Sequence, residues 1–252
     1  MSKTFTHKKT RNPFKLIPWW GWVGAVFNLL ILHLAFYFIS KTIVIALKDT
    51  WWYYKPKIDS LDDAIPFIPY FFAQLYYVSY VVWFVVPLIV SVSGKKNFIN
   101  FMFYETIASF IGFLLFILAP ARQYRADDDL FNKIENIKGP FTKWMMNLIV
   151  GNDGGEIGWN MAPSFHVLSC FFCCMGLLRQ KKIHWSIRLS DYIINFLIII
   201  GTLFIKQHYI FDVFFALALG GIVYIVVTIC DPAKTILEKH PNFLEIKKHV
   251  KK

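Results

Sequence analysis

Six stretches of this chain stay apolar for about the thickness of a bilayer, and no other feature constrains its fold as tightly. They cover residues 19–47, 67–92, 98–119, 163–178, 186–205 and 209–230. A helix crosses a hydrocarbon core of about 30 Å in roughly 20 residues. Lipid offers no hydrogen bonds, so a spanning segment must satisfy its own backbone, as an α-helix does. The sequence therefore predicts an all-α, polytopic membrane helical bundle with six transmembrane helices. The first run is long enough to tilt or to continue along the surface, and the fourth is short. Charged residues make up only 17% of the chain, against about a quarter in soluble proteins, and they collect between the runs. The first run is too long for a cleavable signal, and no small-residue cleavage site follows it.

Lysine and arginine set the orientation. The N-terminal tail carries Lys3, Lys8, Lys9, Arg11 and Lys15, and the second connection Lys95 and Lys96. The fourth connection carries Arg179, Lys181, Lys182 and Arg188, and the C-terminal tail Lys234, Lys239, Lys247, Lys248, Lys251 and Lys252. With six spans all of these share one side, which the positive-inside rule makes cytoplasmic. On the other side the bases are diluted by Asp49, Asp59, Asp62, Asp63, Asp127, Asp128, Asp129, Glu135, Asp153 and Glu156. The expectation is one membrane-embedded domain over residues 1–252, with both termini cytoplasmic and basic tails at 1–16 and 233–252. Trp19, Trp20, Trp22, Trp51 and Trp52 read as interfacial anchors.

The net charge of +11 flanks the spans and forms no separate domain. It suits anionic lipid heads and argues against nucleic acid as a partner. No obligate protein partner is evident. Cys170, Cys173 and Cys174 mark one helix face and Cys230 ends a run, so they read as packing rather than as a metal site or a disulfide framework.

The polar residues that invite a chemical reading sit at run ends on the non-cytoplasmic side. Charge near a bilayer centre is costly, so ionisable groups in such places are site candidates. Arg122 and Arg125 follow the third run, Ser164 and His166 open the fourth, and His208 and Asp212 straddle the entry to the sixth, with Lys206 just before. Two arginines and a lysine can neutralise a phosphate, and arginine adds a planar fork suited to its oxygens. Pro163 suits a first helical turn and Ser164 a helix start, where free N–H groups favour anions. His208 and Asp212, four apart, share a helix face. The carboxylate fixes the imidazole's tautomer and leaves its other nitrogen as nucleophile or base. His166 is then a second imidazole, able to protonate a leaving group. The set suits phosphoryl transfer with no metal and no cofactor, because fixed cations supply the electrostatics.

Other polar groups read more plainly. The long connection 120–162 has the length of a functional loop, and its segment 141–150 reads as a short interfacial helix over the site. Asp127–Asp129 read as a solvated acidic turn and Asn160 as a cap of the fourth span. His33 reads as packing or a polar contact within the first span, and Glu105 as the partner of a neighbouring helix.

At these residues the chain resembles the type 2 phosphatidic acid phosphatase superfamily of membrane lipid phosphatases and phosphotransferases. Pro163-Ser164-Phe165-His166 is similar to that family's Pro-Ser-Gly-His motif, with Phe165 in place of glycine as in its inositol phosphorylceramide synthase branch. His208 and Asp212 match the second half of its third motif, while Gly201 and Thr202 stand where Ser-Arg is usual, and Lys206 is a candidate replacement for the lost charge. The first motif is poorly kept around Ala119–Arg125, with Arg125 in the place of its arginine and Arg122 as helper. The likeness covers residues 98–231. It implies that His208 is the nucleophile, Asp212 its orienting carboxylate and His166 the acid for the leaving group. Arg122, Arg125, Ser164 and Lys206 would bind the phosphate.

The resulting expectation is a lipid phosphatase acting through a phosphohistidine, on phosphatidic acid, phosphatidylglycerol phosphate or undecaprenyl pyrophosphate. Its site would face outward from a membrane, a bacterial plasma membrane given the chain's small size. The alternatives are a phosphotransferase of the inositol phosphorylceramide or sphingomyelin synthase kind, and a non-catalytic lipid-phosphate transporter.

Overall fold

The computed structural model describes residues 16–47, 52–152, 154–159, 161–178 and 180–244. Residues 1–15 and 245–252, together with Asp49, Trp51, Asp153, Asn160, Arg179 and the side chain of Asp127, lie outside the described residues. The first apolar run forms one continuous helix, Trp19–Ala46. Within it α1 (Trp19–Phe27) passes through a π-helical segment (Asn28–Ala35) into α2 (Phe36–Ala46). The first connection holds a single turn, α3 (Asp59–Asp62), and leads to α4 (Pro69–Ser93) and α5 (Lys95–Leu118). The long connection folds as β1 (Gln123–Tyr124), a 3₁₀ turn (Arg125–Asp128), α6 (Leu130–Glu135), α7 (Pro140–Asn152) and β2 (Ile157–Gly158). Then come α8 (Phe165–Leu177), α9 (Trp185–Phe204), α10 (Ile210–Cys230) and α11 (Pro232–Lys239).

Five helices among the described residues are long and apolar enough to cross a membrane: Trp19–Ala46, Pro69–Ser93, Lys95–Leu118, Trp185–Phe204 and Ile210–Lys239. The fourth expected span is an apolar helix of only 13 residues. It starts late because Ser164 is its cap: the Ser164 Oγ accepts from the Val167 N–H at 3.3 Å. Pro163 thus lies outside the helix, not in its first turn as the sequence suggested. The helix expected at 141–150 is present as α7.

Proline and glycine set the long helices' limits. Pro69 occupies the first turn of α4, where its missing N–H costs nothing. Gly94, at φ 129°, makes the turn into α5 that a side chain would resist. Pro87 sits inside α4 and cannot donate to the carbonyl of Trp83, four residues earlier. Asn28 Nδ2 supplies that bond instead, 2.9 Å from the Trp83 oxygen. The π segment makes this possible. Its i to i+5 repeat turns both Asn28 and His33 toward the bundle, where both are buried.

The helices alternate in direction, so their ends gather in two groups. At one end Lys96 and Asn100, early in α5, bond Asp231 after α10 at 2.5 and 2.9 Å. Asn97 reaches Gln180 after α8 at 2.8 Å, and Trp20 at the start of α1 packs on Phe98. At the other end the Ile68 N–H meets the Phe204 carbonyl at 2.9 Å, joining the start of α4 to the end of α9. The Ser164 N–H meets the Asp212 carbonyl at 3.4 Å, joining the starts of α8 and α10. Buried α8 is surrounded by α4, α5, α9 and α10.

Small residues let α8 sit this close. A Cβ at Gly112 of α5 would lie 2.4 Å from the Phe165 ring. Gly112→Leu is expected to push the start of α8 away and to lower stability by about 1–3 kcal/mol, the usual cost of overpacking. A thermal melt in detergent measures this, and an unchanged melting temperature would contradict the close packing.

Candidate active site

The turn between α9 and α10 is built by backbone bonds. The N–H groups of Gln207 and His208 both donate to the Thr202 carbonyl, at 2.9 and 3.2 Å. Lys206 takes φ 55°, a conformation rare for a side-chain-bearing residue. The result holds His208 beside the first turn of α10. His208 Nδ1 lies 3.4 Å from Asp212 Oδ2, longer than the best N–H···O bonds but within the looseness of unliganded sites. The same carboxylate oxygen accepts the Tyr209 N–H at 2.9 Å. Asp212 is fully buried and His208 nearly so.

His166 opens α8 on the opposite wall. Its ring stacks on Tyr76 with centroids 4.0 Å apart, and lies 4.9 Å from Trp83. The two imidazoles are 6.3 Å apart between centroids. His166 Nε2 is buried and has no hydrogen-bond partner among the described residues. Both histidines line one cleft, of about 590 Å³ with its mouth included. Its apolar wall includes Tyr37, Phe116, Trp159 and Phe165, and its polar lining Asn152, Gln207 and His33.

The expected phosphate-binding residues are placed around this cleft rather than among its lining residues. The Arg122 guanidinium is sandwiched between the rings of Tyr53 and Trp159, at 3.7 and 4.1 Å. Trp159 carries that stack to the cleft wall. Arg125 Nη1 donates to the carbonyls of Val150 and Gly155, both at 2.7 Å. Val150 lies in the last turn of α7, where the helix dipole favours a cation. The Ser164 oxygen caps α8, and Lys206 Nζ donates to the Asp62 carbonyl at 2.6 Å.

A buried polar network under these loops went unseen in the sequence. Asp62 accepts the N–H of Ile58 at 2.7 Å and that of Ile210, the first residue of α10, at 2.8 Å. Asp128 is no solvated turn residue, contrary to the sequence reading. It is buried, with Lys57 Nζ at 2.9 Å on one oxygen and the Tyr209 hydroxyl at 2.9 Å on the other. Gln123 Nε2 bridges Asp128 and the Lys206 carbonyl, at 3.2 and 3.0 Å. Lys57 also pairs with Asp63 at 2.8 Å. The clue available in sequence was the crowding of acids around one lysine at 57–63.

The network explains its own proton affinities. Burial works to lower that of Lys57, but hydrogen bonds to Asp63 and Asp128 outweigh it and the net shift is upward. Burial lowers that of Lys206, and the Asp128 charge only partly opposes this. The Tyr209 hydroxyl is pushed up by burial and then by Asp128, so it remains a donor. Tyr54 is pushed up to about 12 by burial and then by the Asp212 charge. Among the described residues no group of three or more His, Cys, Asp or Glu is placed to hold a metal ion.

A family model described as the PAP2 superfamily matches residues 56–226. Comparison with curated proteins and with solved structures gave no match.

The Lys57–Asp63 pair makes a test in pH. The Lys57 hydrogen bond holds the Asp63 carboxyl below its ordinary 3.8. Its contribution is therefore complete above pH 3.8 and is lost as the pH falls through the lowered value. The Lys57 contribution is complete below pH 10.5 and is lost only as the pH rises through its raised value. Lys57→Met should lower the melting temperature by a constant amount from about pH 5 to about pH 9. That difference should shrink below pH 3.8. A difference as large at about pH 3 as at about pH 7 would rule the pair out as its source.

Proposed function

The chain belongs to the PAP2 superfamily, whose members are phosphatases and related phosphotransferases, and we propose that it is an integral membrane lipid phosphatase working through a phosphohistidine. The observation that carries this reading is the facing pair of imidazoles, one backed by the buried Asp212 and the other with a ring nitrogen that has no partner among the described residues.

In the proposed reaction His208 Nε2 attacks the phosphorus of a lipid phosphate or pyrophosphate, and Asp212 steadies the charge arising on the ring. The P–O bond to the lipid breaks, and His166 gives its proton to the departing oxygen. Water then attacks the phosphohistidine, His166 takes the proton back, and inorganic phosphate leaves. Arg122 supplies positive charge from the cleft rim, while Arg125, Lys206 and the Ser164-capped helix start add to the field favouring an anion. The bundle crosses the bilayer six times, α8 making the short central passage, with both termini cytoplasmic and the cleft opening on the other face. The clustering of the basic connections at the Lys96–Asp231 end supports this orientation.

A second reading is transfer to an alcohol. It is favoured by Phe165, whose ring stands in the cleft wall against Phe116, 4.7 Å away, and makes an apolar seat for a lipid acceptor.

Phosphate release from a panel of lipid phosphates, with EDTA present, tests both readings. Wild type should release phosphate and His208→Ala should lose that activity by a factor of roughly 10² or more. A new phosphodiester without free phosphate would select transfer. Equal release by both proteins would overturn the nucleophile, and binding without turnover would favour a transporter.

A further inference from the structure

A second buried polar cluster lies behind His166 and takes no part in the proposed reaction. His33, in the π segment, lines the same cleft as His166 and His208. Its Nδ1–H donates to the Asn28 carbonyl at 2.7 Å. That bond leaves Nε2 as an acceptor, and it takes the Ser169 hydroxyl in a short hydrogen bond. The Glu105 carboxyl of α5 stands 3.9 Å from the same nitrogen. On its face the His33 ring stacks on Trp83, centroids 4.4 Å apart and planes 25° from parallel.

Two of these contacts lead to His166. Ser169 is on α8, three residues after His166 and so on the same face. Holding Ser169 fixes the rotation of α8 about its axis. Trp83 touches His33 and also His166. Its backbone is in turn held by Asn28, through the carbonyl that Pro87 leaves open. Polar groups this deep are costly unless they bond one another, and these bonds converge on one imidazole.

We propose that His33 is a positioning residue for His166, setting the rotation of α8 through Ser169 and the ring plane of Trp83 against which His166 packs. The role rests on the proposed function, in which His166 protonates the leaving oxygen. It predicts a defect confined to steps that need that proton. An aryl leaving group departs as a stable anion and needs no acid, whereas an alkyl one does.

The test uses the full chain in detergent with two substrates, an alkyl phosphate lipid and a nitrophenyl phosphate ester. His166→Ala should lose roughly 10²–10⁴-fold on the alkyl ester and far less on the aryl ester. His33→Leu should lose on the order of 10- to 100-fold in kcat on the alkyl ester, with KM kept, and only a few-fold on the aryl ester. His33→Gln, which keeps a donor and an acceptor, should recover much of the loss. Ser169→Ala removes one hydrogen bond with little volume, and shows the same leaving-group pattern even if His33→Leu fails to fold. Equal losses on both esters in the His33 and Ser169 variants, while His166→Ala keeps its dependence, overturn the positioning role alone. A His166→Ala variant indifferent to the leaving group overturns the acid of the proposed function and this inference with it.

Discussion

Inside a bilayer a carbonyl without a donor costs several kcal/mol, and Pro87 creates one at Trp83. Much of the molecule's interior follows from how that oxygen is satisfied. The donor comes from Asn28 on the first helix, at 2.9 Å. A plain α-helix would turn Asn28 and His33, five apart, to different faces. The π repeat allows both to point inward, and His33 then meets α8 through Ser169. One missing N–H is thus answered by a change of helix type in the preceding long helix. The first helix becomes part of the cleft wall instead of a peripheral anchor.

The loop-built half of the site depends on a different set of bonds. Here the chain is in loops, and loops hold side chains in place only when their own backbone is tied down. Asp62 caps the helix that carries Asp212, and Lys206 reaches back to the Asp62 carbonyl. Tyr209 and Gln123 hang from Asp128, which Lys57 balances. The first, third and fifth connections are therefore one polar unit. All three basic residues expected to bind the phosphate also stabilise protein atoms: Arg122 aromatic rings, Arg125 and Lys206 backbone carbonyls.

What the sequence made legible was whatever depends on local period or spacing. Apolar length located the helices to within a few residues, and the four-residue step from His208 to Asp212 placed both groups together. The matched family supports the resemblance read from Pro163–His166 and His208–Asp212. What was not legible depends on partners distant in the chain. Asp128 looked like any loop aspartate until Lys57, 71 positions earlier, was seen beside it. His33 looked like a packed histidine because Ser169 lies 136 positions away. The first residue of α8 was not legible because hydropathy continues through Pro163, while capping by Ser164 decides where the helix begins.

That late beginning gives the molecule a vertical dimension. The 13 residues of α8 rise about 20 Å, while α4, with 25, rises about 37 Å. Tyr76, on which His166 stacks, is seven residues into α4, so the imidazole lies about 10 Å along that helix from its first residue. The short central helix makes the floor of a well sunk into the bundle. On the proposed function, a lipid phosphate would descend that distance from the mouth of the cleft, shedding water among the aromatic side chains that line it. That reading favours molecules with a slender, flexible link between phosphate and anchor over those with bulky or rigid heads.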